Sequence, residues 1–202
     1  ICSMEDVDRG AKVGLRWARG PFEMMNRIGV AEAYRMAQSY QAIAGEAWTL
    51  PAFFKNQSHA STNWDFSYVD SSVEDGIATI TINRPEAMNA LNEVVVAQLT
   101  EAVQAANADS NVTTIVLDGA GKAFVAGADV KFFVDKIRSD DIPDIETFTE
   151  NGHILLAALE DSTKTTIALT TGLALGGGLE LALACDYRIG TRRTQFRFPE
   201  TS

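Results

Sequence analysis

A change of hydrophobic period near residue 77 constrains this chain more than any other feature. Ile77, Thr79 and Thr81 alternate with Ala78, Ile80 and Ile82, the pattern of a short buried strand that Arg84-Pro85 then ends. From there strand and helix patterns take turns. Asn92 is placed to cap a helix whose Val95, Leu99, Ala102, Val103 and Ala106 share one face. Thr114 to Leu117 reads as the next strand, closed by the turn Asp118-Gly119-Ala120-Gly121. A helix is predicted over 145–159, with Ile145, Phe148, Leu155 and Leu159 aligned, and a third strand runs from Ile167 to Leu169. A glycine-rich turn leads into a helix over 178–184, and residues 187–189 and 194–198 read as strands. Alternation of this kind makes the region α/β.

Before the change the pattern is helical. Val13, Trp17, Phe22, Met24, Met25 and Ile28 are interrupted by Gly20-Pro21, a turn and helix-start signal. Over 30–43, Ala33, Met36, Tyr40 and Ile43 fall near helical spacing, and Gly45 and Pro51 close that run. Lys55 to Asn63 is polar and rich in Ser, Asn and Gln, a linker composition. The reading is therefore an all-α segment at 1–57, a linker at 58–63 and an α/β domain at 64–202. Both ends fall inside ongoing patterns, so the chain reads as part of a longer polypeptide.

Charge narrows the partners. A net charge of −10, from 17 basic and 27 acidic residues, argues against a nucleic-acid or anionic-membrane surface. It leaves an anionic small ligand open, because a few local bases suffice for one. The sequence has neither a transmembrane-length apolar run nor a signal-peptide pattern. Cys2 and Cys185 lie far apart and offer neither a disulfide framework nor metal spacing, which fits a reducing cytoplasm. His59 in the linker and His153 on a polar helix face have no Ser or Cys partner.

Two segments present main-chain N–H groups where an anion could sit. Residues 122–129 (KAFVAGAD) follow a strand and a glycine-rich turn, and their small side chains let a ligand approach the backbone. In Gly176-Gly177-Gly178-Leu179-Glu180 a strand gives way to a helix, whose first N–H groups lack internal partners and carry the positive end of the dipole. Taken alone, the glycine triplet reads more readily as a tight turn, and its spacing does not fit a dinucleotide fingerprint. Glu180 by itself reads as a helix-start glutamate and Glu200 as an exposed loop residue.

Together these stretches resemble the crotonase (enoyl-CoA hydratase/isomerase) family. The resemblance rests on residues 122–131 (KAFVAGADVK), 174–184 (ALGGGLELALA), Cys185-Asp186 and 196–200 (FRFPE), in order and at familiar spacing. Residues 82–91 (INRPEAMNAL) are similar to the family's first motif, and the match covers roughly 64–202. The resemblance implies a crotonase-like ββα spiral, incomplete here, behind a small all-α segment. It implies that the N–H groups of Ala128 and Gly177 form an oxyanion hole for an acyl-CoA thioester oxygen. Ala128, Asp129, Val130 and Lys131 would lie along the bound CoA, with Gly177 also at the substrate. Glu180 would help activate water for addition at Cβ, and Glu200 would deliver the proton to Cα. Relatives that only isomerise double bonds usually keep one of these acids, so both together favour hydration. An isomerase and a non-catalytic acyl-CoA-binding or structural piece are the rival readings. The reaction would need no metal or redox cofactor, since coenzyme A belongs to the substrate; the parent would be a homo-oligomer.

The sequence also departs from the pattern. Lys164-Thr165 stands where Lys-Pro is common, Thr171 where Asn is usual and Arg197 where Gly is frequent. Arg84, Lys122 and Lys131 are candidates for the CoA phosphates. At the front, residues 7–15 with Arg19-Gly20-Pro21-Phe22-Glu23 resemble the C-terminal helical domain of 3-hydroxyacyl-CoA dehydrogenases over about 50 residues. That chemistry also needs a βαβ unit for NAD and a His–Glu pair, neither of which this sequence contains. The resemblance thus implies a bifunctional parent in fatty-acid or short-chain acyl-CoA metabolism, with weak activity for this piece alone.

Overall fold

The computed structural model describes residues 2–60 and 62–201, apart from the side chains of Glu46 and Glu200. The chain divides into two compact units, Ile1–Phe66 and Ser67–Ser202.

The first unit is all-α: α1 (Met4–Gly14), α2 (Pro21–Ile28), α3 (Val30–Ala44), a 3-10 turn at Gly45–Ala47 and α4 (Ala52–Ala60). Pro21 starts α2 as predicted. Asp8, 1% exposed, reaches across from α1 and accepts hydrogen bonds from the first amides of α2, Phe22 N (2.8 Å) and Glu23 N (2.9 Å). Phe22, Val30, Ala33, Tyr34, Phe54 and Trp64 form the core.

Two sequence expectations are corrected here. The stretch read as a linker is helical up to Ala60, and Trp64 packs edge-on against Phe22 at 5.1 Å. The boundary therefore falls after Phe66, because a buried aromatic ties 64 to the helical core rather than to the domain that follows. In α3 the buried stripe is Val30, Ala33 and Tyr34, whereas Met36, Tyr40 and Ile43 are exposed. Both stripes have helical spacing, so periodicity alone could not choose between them.

The second unit is α/β, as the alternation predicts. Its main sheet has the order β1-β2-β3-β5-β7, from β1 (Val69–Glu74), β2 (Ile77–Ile82), β3 (Thr114–Gly119), β5 (Thr165–Thr170) and β7 (Tyr187–Gly190). β1 is antiparallel to β2 through the turn Asp75-Gly76; every other pair is parallel, with Ile80 opposite Leu117 and Leu117 opposite Ala168. A parallel three-stranded sheet of β4 (Ala123–Val125), β6 (Leu173–Leu175) and β8 (Gln195–Arg197) is the second layer. The helices are α5 (Glu93–Ala108), α6 (Val130–Arg138), α7 (Ile142–Glu160) and α8 (Gly177–Leu183). Asn92 caps α5 as expected, accepting from Val95 N at 2.9 Å, and α5 packs on β2 and against α7.

Periodicity missed β1, β4, β6 and α6. β1 (VDSSVE) is largely polar and exposed, and three residues are too few to show an alternation. No helix among the described residues is long and apolar enough to cross a membrane.

Candidate active site

The site forms where two strands of the small sheet run out. After β4 the chain passes Leu91 in an isolated parallel bridge: Leu91 N donates to Gly127 O (2.9 Å), and Asp129 N donates to Leu91 O (2.7 Å). Successive N–H groups of an extended chain point to opposite sides, so the amide of Ala128, between these two, faces away from Leu91. After β6, Gly176 turns the chain at φ 48°, a conformation costly for any residue with a Cβ, and α8 begins. Its carbonyl accepts from Leu179 N (2.8 Å) and Glu180 N (3.1 Å). The amides of Ala128 and Gly177 have no hydrogen-bond partner among the described residues.

Ala128, Gly177 and Glu180 line one cavity of about 210 Å³, walled by α5 and α7 through Val96, Phe148 and Leu155. A methyl group placed on Gly177 would lie 3.5 Å from Leu91 Cδ1 and 3.8 Å from Glu180 Oε2, so the Glu180 carboxyl stands beside this stretch of backbone. Glu180 occupies the first turn of α8 and is exposed. Glu200 lies in the 3-10 turn Pro199–Thr201, and its side chain is outside the described residues.

The remaining candidates separate by burial. Val130 and Lys131 open α6 and are exposed. Asp129 is half-buried: one carboxylate oxygen accepts from Lys131 N at 3.1 Å, and the other meets Arg84 Nη2 at 2.8 Å. Arg84 also donates from Nη1 to Ala90 O (3.0 Å) and lies over the Tyr68 ring at 5.5 Å. Its Nη1 and Nη2 are thus engaged within the protein, which weighs against its reading as a CoA-phosphate contact; Lys122 and Lys131 are exposed. His153, read from the sequence as lying on a polar helix face, lines the cavity with Thr149, Gly152 and Leu156. The i, i+3, i+4, i+7 spacing of those four residues carried the signal, but their mixed polarity hid it. Arg197 contributes through its backbone, accepting from Gly176 N at 3.0 Å while its side chain is exposed.

The family model for "Enoyl-CoA hydratase/isomerase" matches residues 77–202. The chain belongs to the enoyl-CoA hydratase/isomerase family. It is 39% identical over 128 residues to a crotonyl-CoA hydratase of Syntrophomonas wolfei, covering 63% of this chain and 48% of that protein. It is also 33% identical over 132 residues to the fatty acid oxidation complex subunit alpha of Pseudomonas putida, covering 64% of this chain and 18% of the subunit. Among solved structures, an enoyl-CoA hydratase/carnithine racemase from Magnetospirillum magneticum matches with a TM-score of 0.62 and 34% identity, over 67% of this chain and 51% of that one. The chain spans about half the length of the first curated relatives it matches. Its fold is the crotonase fold, behind a small all-α unit. Enoyl-CoA hydratases need no separate cofactor, because coenzyme A is part of the substrate.

Proposed function

We propose that this chain carries the catalytic front half of an enoyl-CoA hydratase that adds water to a trans-2-enoyl-CoA and gives the 3-hydroxyacyl-CoA. The observation that carries the reading is the shared cavity of Ala128, Gly177 and Glu180. Addition at Cβ drives charge onto the thioester oxygen, making it enolate-like. Two amides fixed by the backbone stabilise that charge without reorganising water, and each such donor is worth about a hundred- to thousand-fold in rate. Glu180, beside Gly177, helps activate the water, and Glu200 returns a proton to Cα. Two carboxyls sharing one pocket can divide protonation between them, one neutral and one charged. The main chain of 128–131 runs along the CoA, with the Asp129 carboxylate turned instead to Arg84 and the Lys131 amide.

We further infer that the parent is a bifunctional hydratase and 3-hydroxyacyl-CoA dehydrogenase of fatty-acid or short-chain acyl-CoA metabolism, homo-oligomeric and cytoplasmic. Support comes from the helical first unit with its Gly-Pro-Phe-Glu start, and from the similarity to a much longer fatty acid oxidation subunit. Residues 1–202 alone turn over poorly in this reading: Glu180 is exposed, and so are Leu183, Tyr187, Ile189 and Phe196 on the adjoining elements.

The deciding assay supplies 2-enoyl and 3-enoyl thioesters to the full-length parent and identifies the products. A mass gain of one water on the 2-enoyl substrate is expected. A moved double bond with no water added would replace this reading with isomerisation.

A further inference from the structure

We propose that Asp129, through its pair with Arg84, and the buried Asn89 are positioning residues that set the direction of the Ala128 amide. This rests on the reading of Ala128 as an oxyanion donor. A run of hydrogen bonds ties the loop between β2 and α5 to the chain before, at and after β4. Asn89 is fully buried with φ 57°; its Nδ2 donates to Ala120 O (2.9 Å) and Ala123 O (2.8 Å). Its Oδ1 accepts from Arg84 N at 2.9 Å, which joins this clamp to the start of the loop. Ala126 N donates to Met88 O (3.1 Å), and the two bonds to Leu91 then hold Gly127 and Asp129.

Ala128 is thus the one residue left between two held neighbours. The Asp129 carboxylate adds a constraint of a different kind. It joins Arg84 on one side and the Lys131 N–H in the first turn of α6 on the other, with the side chains of Arg84 and Asp129 only 13% and 19% exposed. Rotation of the 128–129 backbone would have to break an ion pair shielded from water, so the pair resists that rotation. A donor aimed at developing charge works only within a narrow angular range, so a small loss of aim lowers the rate of the chemical step more than it lowers binding.

Asp129→Asn tests this most cleanly in the full-length parent. It keeps an oxygen for Lys131 N and removes only the charge facing Arg84. We expect kcat to fall about tenfold or more with KM changed less than about twofold, since an interaction made in the transition state is weakened. The red shift of a bound aryl-conjugated enoyl-CoA, which reports polarisation of its carbonyl, should shrink in parallel. Arg84→Lys, which keeps the charge but loses the planar fork, should fall between wild type and Asp129→Asn, and it serves as the probe if Asp129→Asn does not fold.

Ala128→Pro, which deletes the N–H itself, is the control for the underlying reading. If it abolishes turnover while Asp129→Asn and Arg84→Lys keep wild-type kcat and red shift, the positioning role is wrong and the oxyanion reading stands. If Ala128→Pro retains full activity, both fall. A raised KM at unchanged kcat in Asp129→Asn would make that residue a CoA contact instead and overturn the proposal.

Discussion

Gly178 lies so close to Val125 that a methyl group on it would come within 2.1 Å of the Val125 carbonyl oxygen. This contact presses the start of α8 onto the end of β4, next to the cavity that Ala128 and Gly177 line. The obstacle is backbone, which cannot swing aside as a side chain can. Gly178→Ala should destabilise the second unit by about 3 kcal/mol or more, the upper end for overpacking. Chemical denaturation followed by circular dichroism measures it; an unchanged midpoint would show that α8 is free to shift.

Its neighbour should behave in the opposite way. A methyl on Gly177 meets only ordinary contacts, Leu91 Cδ1 at 3.5 Å and Glu180 Oε2 at 3.8 Å. Gly177→Ala should fold with a stability close to wild type. In the parent enzyme it should still cut kcat by about tenfold or more, because the added carbon enters the cavity between Leu91 and the Glu180 carboxyl, beside the proposed oxyanion donor. Equal damage to folding in the two variants would remove the distinction.

The acids can be separated from the scaffold. Glu180→Gln and Glu200→Gln keep shape and remove proton transfer, so each should lower hydration by about a hundred- to ten-thousand-fold. CoA affinity, read by calorimetry, should stay within a few-fold of wild type, since neither carboxyl is assigned to the CoA. Wild-type turnover in either variant would strike that residue from the mechanism.

Cys185 provides a pH test of the fold. It is 3% exposed, and burial pushes its thiol from an ordinary 9.0 up to about 12, with the nearby Arg188 opposing the shift. The folded state therefore holds this proton where the unfolded chain releases it. Stability from the neutral thiol is complete below pH 9.0 and is lost as pH rises from there toward 12. Native protein should alkylate at the exposed Cys2 alone, while denatured protein reacts at both cysteines. Cys185→Ala should flatten the alkaline decline in denaturation midpoint; an identical decline would assign it to other groups.

Much of the second unit was legible because its signals are local. The strand at Ile77–Ile82, the Asn92 cap and the glycine turn before α8 each depend on a few consecutive residues and short-range sterics. The candidate site was legible only through its resemblance to a family: Glu180 and the glycine triplet, read singly, look like any helix start. Phe148 showed as a core position on α7, yet nothing in its spacing says that it also walls a cavity with Val96. The Arg84–Asp129 pair spans residues far apart in sequence, and Arg84 looked like a surface base until its partners were visible.

The amino-acid order by itself determined where β2, β3, β5, α5, α7 and α8 lie, and which stretches leave amides unpaired, because capping, alternation and glycine conformation act over a few residues. Only the tertiary structure decided which face of α3 is buried, that Trp64 belongs to the helical unit, and that the amide-bearing segments after β4 and β6 share one cavity. Those outcomes depend on packing between segments tens of residues apart, where the partner, rather than the local pattern, selects among faces that the sequence leaves equivalent.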